Sequence, residues 1–105
     1  MISFLTILKE AKDKFEDFAN IRMKGAEKIA NGAKEKGGPA MLTYNHFIVK
    51  LPYYKKASEG KFDLDKAEKE YDKIYKSISL KMTQTQFQKA VGRLEVLGEL
   101  IIKNK

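Results

Sequence analysis

The chain has 105 residues, enough for one domain with a modest hydrophobic core, or for one domain with an appendage. It has no cysteine, which excludes a disulfide framework and any metal site built on thiolates. Its 21 Lys and Arg residues against 14 Asp and Glu give a formal net charge of +7. This charge favours nucleic acid or an anionic membrane surface as a partner, the alternative being a basic surface that serves solubility.

No stretch approaches the roughly 18 apolar residues of a membrane span. The apolar segment at residues 1–8 is followed at once by charged residues and is too short for a signal peptide. We therefore expect a cytoplasmic protein without a membrane span. Residues 1–38 carry eight basic against six acidic residues, too balanced for a helix that binds a membrane surface, so we expect no membrane partner.

The first predicted element is an amphipathic helix from Ser3 to about Lys36. Its apolar residues recur at steps of three and four, and Ser3 is a suitable N-cap. The apolar stripe is bulky before Asn20 and mostly alanine after Gly25, so a kink or break in between is an alternative to one continuous helix.

We assign residues 1–36 to an amphipathic helical arm that mediates oligomerisation or docking on a partner. An apolar stripe that the rest of the chain leaves uncovered would seek a second copy or a larger protein. The predicted partner-binding residues are the bulky members of the stripe, Phe4, Leu8, Phe15 and Phe18.

The run Lys36-Gly37-Gly38-Pro39 ends this helix, because glycine favours a helix C-terminus and proline cannot continue one. Residues 39–105 then form the predicted body, with three helices. Thr43 is the expected cap of the first, which Pro52 ends or kinks. Residues 53–56 follow, and then a loop from Ser58 to Lys61. Asp63 is the expected cap of the second, which has an apolar stripe opposite a densely charged face.

The third helix of the body has the clearest start. Thr83 and Gln86 fit a capping box, and Met82 and Phe87 fit the hydrophobic staple around it. Gly98 suits a helix C-cap, and Leu100–Ile102 predicts a short strand. The expected fold class is mainly α, with a long N-terminal helical arm, a three-helix body and a short C-terminal β-strand.

Residues that support catalysis are scarce. His46 is the only histidine, and we interpret it as a surface or cap-adjacent residue. The glycine motifs that cradle phosphates are absent. The carboxylates that follow Asp63 alternate with lysines and do not converge on a metal. We therefore predict a non-enzymatic protein with no catalytic residue, no cofactor and no metal.

The segment Met82–Ile101 resembles the recognition helix and first wing strand of winged helix-turn-helix DNA-binding proteins. The shared features are a capped helix of polar residues, an apolar pair, the run Arg93-Leu94-x-x-Leu97-Gly98 and an apolar strand. The likeness extends loosely back to Thr43 through the order helix, helix, helix, strand. It implies that residues 39–105 form a winged helix-turn-helix-like body that binds nucleic acid.

The outward face of the helix after Thr83 carries the side chains that such a helix needs. Glutamine can contact adenine through two hydrogen bonds, and lysine or arginine can reach guanine or phosphate. A glycine would let the backbone approach the nucleic acid closely. The predicted contacts are Gln84, Thr85, Gln88, Lys89, Gly92 and Arg93, the alternative being an ordinary amphipathic helix with a glutamine-rich surface.

Aromatic residues and lysines also alternate between Tyr44 and Lys61. Aromatic rings can stack on unpaired bases while lysines neutralise phosphates, although core packing of the rings is the alternative. The predicted nucleic-acid contacts in this segment are Lys50, Tyr53, Tyr54, Lys55, Lys56 and Lys61.

These observations predict a nucleic-acid-binding protein, with DNA favoured, single-stranded or double-stranded. Its small size and lysine-rich composition are similar to those of DNA-binding replication accessory proteins of mobile elements, which implies such a role, with a transcription regulator as the other option. The alternative function is a protein–protein interaction subunit that docks through its N-terminal helix.

Overall fold

The computed structural model describes residues 3–105, which fold into five α-helices. They are α1 (Phe4–Lys36), α2 (Met41–Ile48), α3 (Leu51–Ser58), α4 (Leu64–Ser77) and α5 (Gln84–Asn104), with a 3₁₀ turn over Gly38–Ala40 before α2. The predicted mainly α class is confirmed. Within the described range, no helix combines the length and the apolar character needed to cross a membrane.

Local caps start three of the helices as predicted. Ser3 and Asp63 each accept a hydrogen bond from the backbone N–H three residues later, at 3.1 and 3.2 Å. Thr83 and Gln86 form the reciprocal hydrogen bonds of a capping box at the start of α5. Each cap satisfies a backbone donor that the first turn of a helix leaves unpaired.

The start of α2 and the segment after Pro52 differ from the prediction. Thr43 does not act as a cap, because α2 already begins at Met41 without a side-chain cap. Pro52 lies in the first turn of α3, where its missing N–H costs no hydrogen bond. Residues 53–58 are therefore helical, and of these only Ser58 was expected in a loop.

The predicted C-terminal strand is wrong. Helix α5 continues through Gly98 and Leu100–Ile102 to Asn104, so Gly98 is not a C-cap and residues 3–105 contain no strand. A lone strand would leave its backbone groups unpaired, whereas a helix pairs them within itself. Helical geometry also brings Leu97 and Leu100 onto one face, where both are buried. The described part of the chain thus has no wing.

The core lies where α1, α3 and α5 meet. Its buried members are Ala19, Ala26, Tyr54, Ala57, Val96 and Leu100. The alanines of α1 let the other helices approach it closely, and α1 runs unbroken past Asn20 and Gly25. Residues 4–14 of the same helix are all exposed. The division into an arm and a body stays a prediction, with the second half of α1 packed against α2 and α3.

Helices α4 and α5 form an antiparallel pair. Lys105 beyond the end of α5 contacts Glu68 near the start of α4, with 3.6 Å between Nζ and Oε1. The loop at residues 78–83 joins the opposite ends. Because α5 also packs against α2, it lies between α2 and α4, and this position determines which of its side chains reach the surface.

Candidate nucleic-acid interface

A groove runs along α5 between α3 and α4. It consists of three adjoining depressions of about 400, 510 and 140 Å³. Lys89 and Arg93 line the first and second of these, and Tyr53, Lys56 and Glu70 line the second and third. The shared residues make the depressions one continuous surface, which we call the basic groove.

Positive charge dominates the basic groove. Two carboxylates, Asp63 and Glu70, face six cations: Lys56, Lys61, Lys66, Lys81, Lys89 and Arg93. Of these cations only Lys61 forms an ion pair within residues 3–105, with 4.0 Å between its Nζ and Glu59 Oε1. The other cations are therefore free to bind an anion without giving up a protein partner.

Tyr53 lines two of the three depressions of the groove. The side chain is half-buried, and its hydroxyl donates a hydrogen bond to Glu70 Oε1 at 2.5 Å. Burial raises the pKa of Tyr53 to about 12, the Glu70 carboxylate adds to this, and Arg93 opposes it. The ring is thus a neutral phenol among cations at physiological pH.

The predicted contacts on α5 separate into three environments. Lys89 and Arg93 line the basic groove and are half-buried, while Gln84 and Thr85 are exposed at the start of the helix. Gln88 is half-buried and faces α2, with its Oε1 3.2 Å from His46 Nδ1. The groove therefore receives only the two cations of this set.

Gly92 does not face a ligand. It is buried, and a Cβ at this position would lie 2.1 Å from the backbone oxygen of His46. The absence of a side chain lets α2 approach α5 closely. The close approach that we expected between Gly92 and nucleic acid is therefore occupied by α2.

Lys50 is enclosed between α2 and α5. It is 5% exposed, and its Nζ donates to Glu95 Oε1 at 2.8 Å and lies 4.6 Å from the Phe47 ring centroid. His46 Nε2 lies 3.1 Å from the same oxygen. Burial alone would raise the pKa of Glu95, but the hydrogen bonds from Lys50 and His46 outweigh it and lower the pKa. Lys50 therefore holds two helices together and does not face solvent.

Tyr54 belongs to the core. It is 1% exposed, and its hydroxyl donates to Glu99 Oε1 at 2.7 Å, while Arg22 binds both oxygens of Glu99. Burial raises the pKa of Tyr54, and the hydrogen bond to Glu99 acts in the same direction. A base cannot stack on this ring in the folded protein. The neighbouring Lys55 is exposed but does not line the groove.

The predicted partner-binding residues fall into two groups. Phe4 and Leu8 are 73% and 49% exposed on the part of α1 that extends past the core. Phe15 is half-buried with its ring centroid 5.3 Å from that of Phe62, and Phe18 is half-buried with Lys103 Nζ 5.0 Å from its ring centroid. Only the first group is available to a partner.

The sequence patterns do not predict three residues that line the groove, Lys66, Glu70 and Lys81. Positions 66 and 70 are one helical turn apart and share a side of α4, so their spacing indicated a common face. We interpreted that face as solvated, because its mixed charges do not show which neighbour lies beside it.

Among residues 3–105, no three His, Cys, Asp or Glu side chains come close enough together to hold a metal ion. Comparisons with known protein families, with curated proteins and with solved structures find no match to this chain.

Proposed function

We propose that this chain is a non-enzymatic nucleic-acid-binding protein, with DNA favoured, that holds the phosphate backbone in the basic groove. The observation that carries the proposal is one concave surface that six cations and only two carboxylates line. Phosphates bound there would release counterions from the nucleic acid, which drives this kind of association. Cations that served only solubility would have no reason to converge from α3, α4, α5 and the loop before α5.

The cellular role that we propose is that of a cytoplasmic DNA-binding accessory, either in replication of a mobile element or in regulation of transcription. Both roles need a small protein that binds DNA without transforming it. The groove supports the binding step, which the two roles share.

Fluorescence anisotropy with single-stranded DNA, duplex DNA and RNA at several salt concentrations tests the proposal. We expect log affinity to fall linearly with log salt. Lys89→Ala with Arg93→Ala should weaken binding and reduce the salt slope by about 2, since each lost phosphate contact lowers it by about 1.

The matched control is Lys24→Ala with Lys28→Ala, which removes the same charge from exposed positions of α1 outside the groove. It should leave most of the affinity intact. Absence of binding to every probe at low salt would contradict the proposal, and an equal loss in both double variants would reduce the effect to net charge.

A second candidate function is docking through the first turns of α1. Phe4, Leu5, Ile7 and Leu8 are between 49% and 77% exposed and lie beyond the core. An exposed apolar cluster of this kind is typical of an interaction site. Light scattering of the wild type and of Phe4→Ser with Leu8→Ser tests it for a second copy of the chain. A larger wild-type mass that the substitutions abolish supports docking, and a monomer in both proteins contradicts self-association.

A further inference from the structure

We infer that the basic groove accepts a single unpaired nucleic-acid strand and not an intact duplex. This inference rests on the proposed function and specifies the class of ligand for the same site. It follows from the partial burial of two of the cations, from the surface that α5 leaves exposed, from the aromatic residue that lines the groove and from the length of the groove.

Helix α5 contributes two of the six cations to the groove. Lys89 and Arg93 are half-buried, whereas the groove lysines from α3, α4 and the loops are exposed. A helix that reads duplex DNA must protrude into a major groove about 12 Å wide. Helix α5 is instead flanked by α2 and α4 and half-buries both of its groove cations, so we expect a flexible single strand to reach them more easily than a rigid duplex.

Helix α5 leaves few of the predicted base contacts exposed. Gln88 faces His46 and Gly92 is covered by α2, which removes two of the expected base contacts. Gln84 and Thr85 remain exposed, but they lie in the first turn of α5 and are not among the residues that line the groove. Direct readout of a duplex would therefore have to use a different surface from the one that carries the cations.

An aromatic residue, Tyr53, lines the groove among its cations. It is half-buried against the core and lines two depressions together with Lys56, and Arg93 is close enough to influence its ionisation. An aromatic ring within a row of cations is the arrangement that binds single strands, because a splayed base can stack while phosphates meet the cations. Bases in a duplex are already stacked on one another and cannot use this ring.

The groove is about as long as α4. The groove follows α4, which has 14 residues and so spans about 21 Å. Lys81 lies near one end, and Lys61 and Lys66 lie near the other. A span of this size fits a short strand of roughly four nucleotides, the lower end of the range for single-strand-binding domains.

The test is competition binding by the full-length protein, with a short oligothymidine and a duplex of equal length at one salt concentration. We expect the single strand to bind at least about tenfold more tightly, a difference of about 1.4 kcal/mol. Tyr53→Leu, which keeps apolar bulk but removes the aromatic face, should weaken the single-strand complex by roughly 5- to 150-fold, the effect of losing one stacked base. Tyr53→Phe keeps the ring and should restore most of the affinity that Tyr53→Leu loses.

Glu70 supplies an independent test within the groove. Its carboxylate is one of the two anions that line the surface, so Glu70→Gln should strengthen binding of the single strand. An unchanged or weaker affinity of this variant would place the phosphates elsewhere and overturn the inference together with the groove of the proposed function.

The remaining outcomes separate this inference from the proposed function. Equal affinity for both probes, lost in both cases with Lys89→Ala and Arg93→Ala, overturns the inference and leaves the proposed function standing. A preference for duplex that depends on Gln84 and Thr85 overturns the inference in favour of major-groove binding. No binding of either probe overturns both proposals.

Discussion

Gly92 sets the distance between α2 and α5. A Cβ at this position would lie 2.1 Å from the His46 backbone oxygen and 2.8 Å from Val49 Cγ2. Because the nearest atom belongs to the backbone, the two helices would have to separate. We predict that Gly92→Ala lowers the free energy of unfolding by about 1–3 kcal/mol, the usual cost of overpacking, in urea denaturation.

Gly98→Ala is the matched control for this prediction. It lies in the same helix, where a Cβ would make only an ordinary contact of 3.5 Å with Tyr71 Cε2. We expect a gain of about 0.5–1 kcal/mol from the better helix propensity of alanine. Similar effects of the two substitutions would contradict the close packing of α2 at Gly92.

Tyr54 makes stability depend on alkaline pH. Burial, helped by the hydrogen bond to Glu99, raises the pKa of Tyr54 above its ordinary value of 10.0. The native state therefore holds this proton more tightly than the unfolded chain does. The resulting stability is complete below about pH 10 and is lost as the pH rises toward the folded-state pKa.

We predict that the wild type loses stability more steeply above about pH 10 than Tyr54→Phe, which cannot ionise at this position. Urea denaturation at several alkaline pH values measures the difference. Tyr53, with its pKa raised to about 12, is present in both proteins and serves as an internal constant. Parallel loss of stability in the two proteins would mean that Tyr54 is not held neutral in the core.

At the scale of single helices, α1 presents adjacent positions in opposite environments. Ala26 is 5% exposed in the core, whereas a Cβ at Gly25 would have no neighbour within 4 Å. We predict that Ala26→Leu destabilises the protein by about 1–3 kcal/mol through overpacking. Gly25→Ala should stabilise it by about 0.5–1 kcal/mol. Thermal unfolding measures both, and destabilisation by the two changes alike would contradict the orientation of α1.

The elements that the sequence predicted well are those with local causes. The caps at Ser3, Asp63 and Thr83 need only neighbouring backbone groups, so short patterns located the starts of α1, α4 and α5. The errors arise where a distant neighbour decides. Residues 100–102 are as apolar as a strand, but burial of Leu100 against α1 and α3 makes them helical.

The candidate site shows the same limit. Lys56, Lys89 and Arg93 were predicted as separate contacts on two segments, and composition and spacing sufficed for that. Their convergence on one groove depends on how α3, α4 and α5 pack. Tyr54 is fully buried and Tyr53 only half-buried for the same reason, because the two adjacent rings point to different sides of α3.

At the scale of the whole molecule, the protein is thin, and few large side chains stabilise it. Its Cα atoms span 56 × 31 × 15 Å. The largest fully buried side chains are Tyr54, Leu97, Leu100 and Val96. Three of these belong to the cluster that Ala19 and Ala26 of α1 complete. Helix α1 therefore covers much of the core formed by the residues that follow Gly38.

This arrangement predicts that residues 39–105 do not fold alone. Without α1, Tyr54 and Ala57 would lose their cover, and Glu99 would lose Arg22, whose Nη2 lies 2.9 Å from its Oε2. A fragment of this size has little core to spare, so losing one wall should abolish cooperative unfolding. Near-ultraviolet circular dichroism and urea denaturation of the fragment measure this.

The control is a chain that lacks only residues 1–11, which are outside the core where the structure describes them. It should unfold cooperatively, with a midpoint close to that of the full chain, because the exposed Phe4 and Leu8 lie outside the buried core. A fragment 39–105 that unfolds cooperatively and keeps its near-ultraviolet spectrum would instead establish an independent body with an attached arm. The basic groove, built wholly from residues after Gly38, should then retain its affinity for nucleic acid in that fragment.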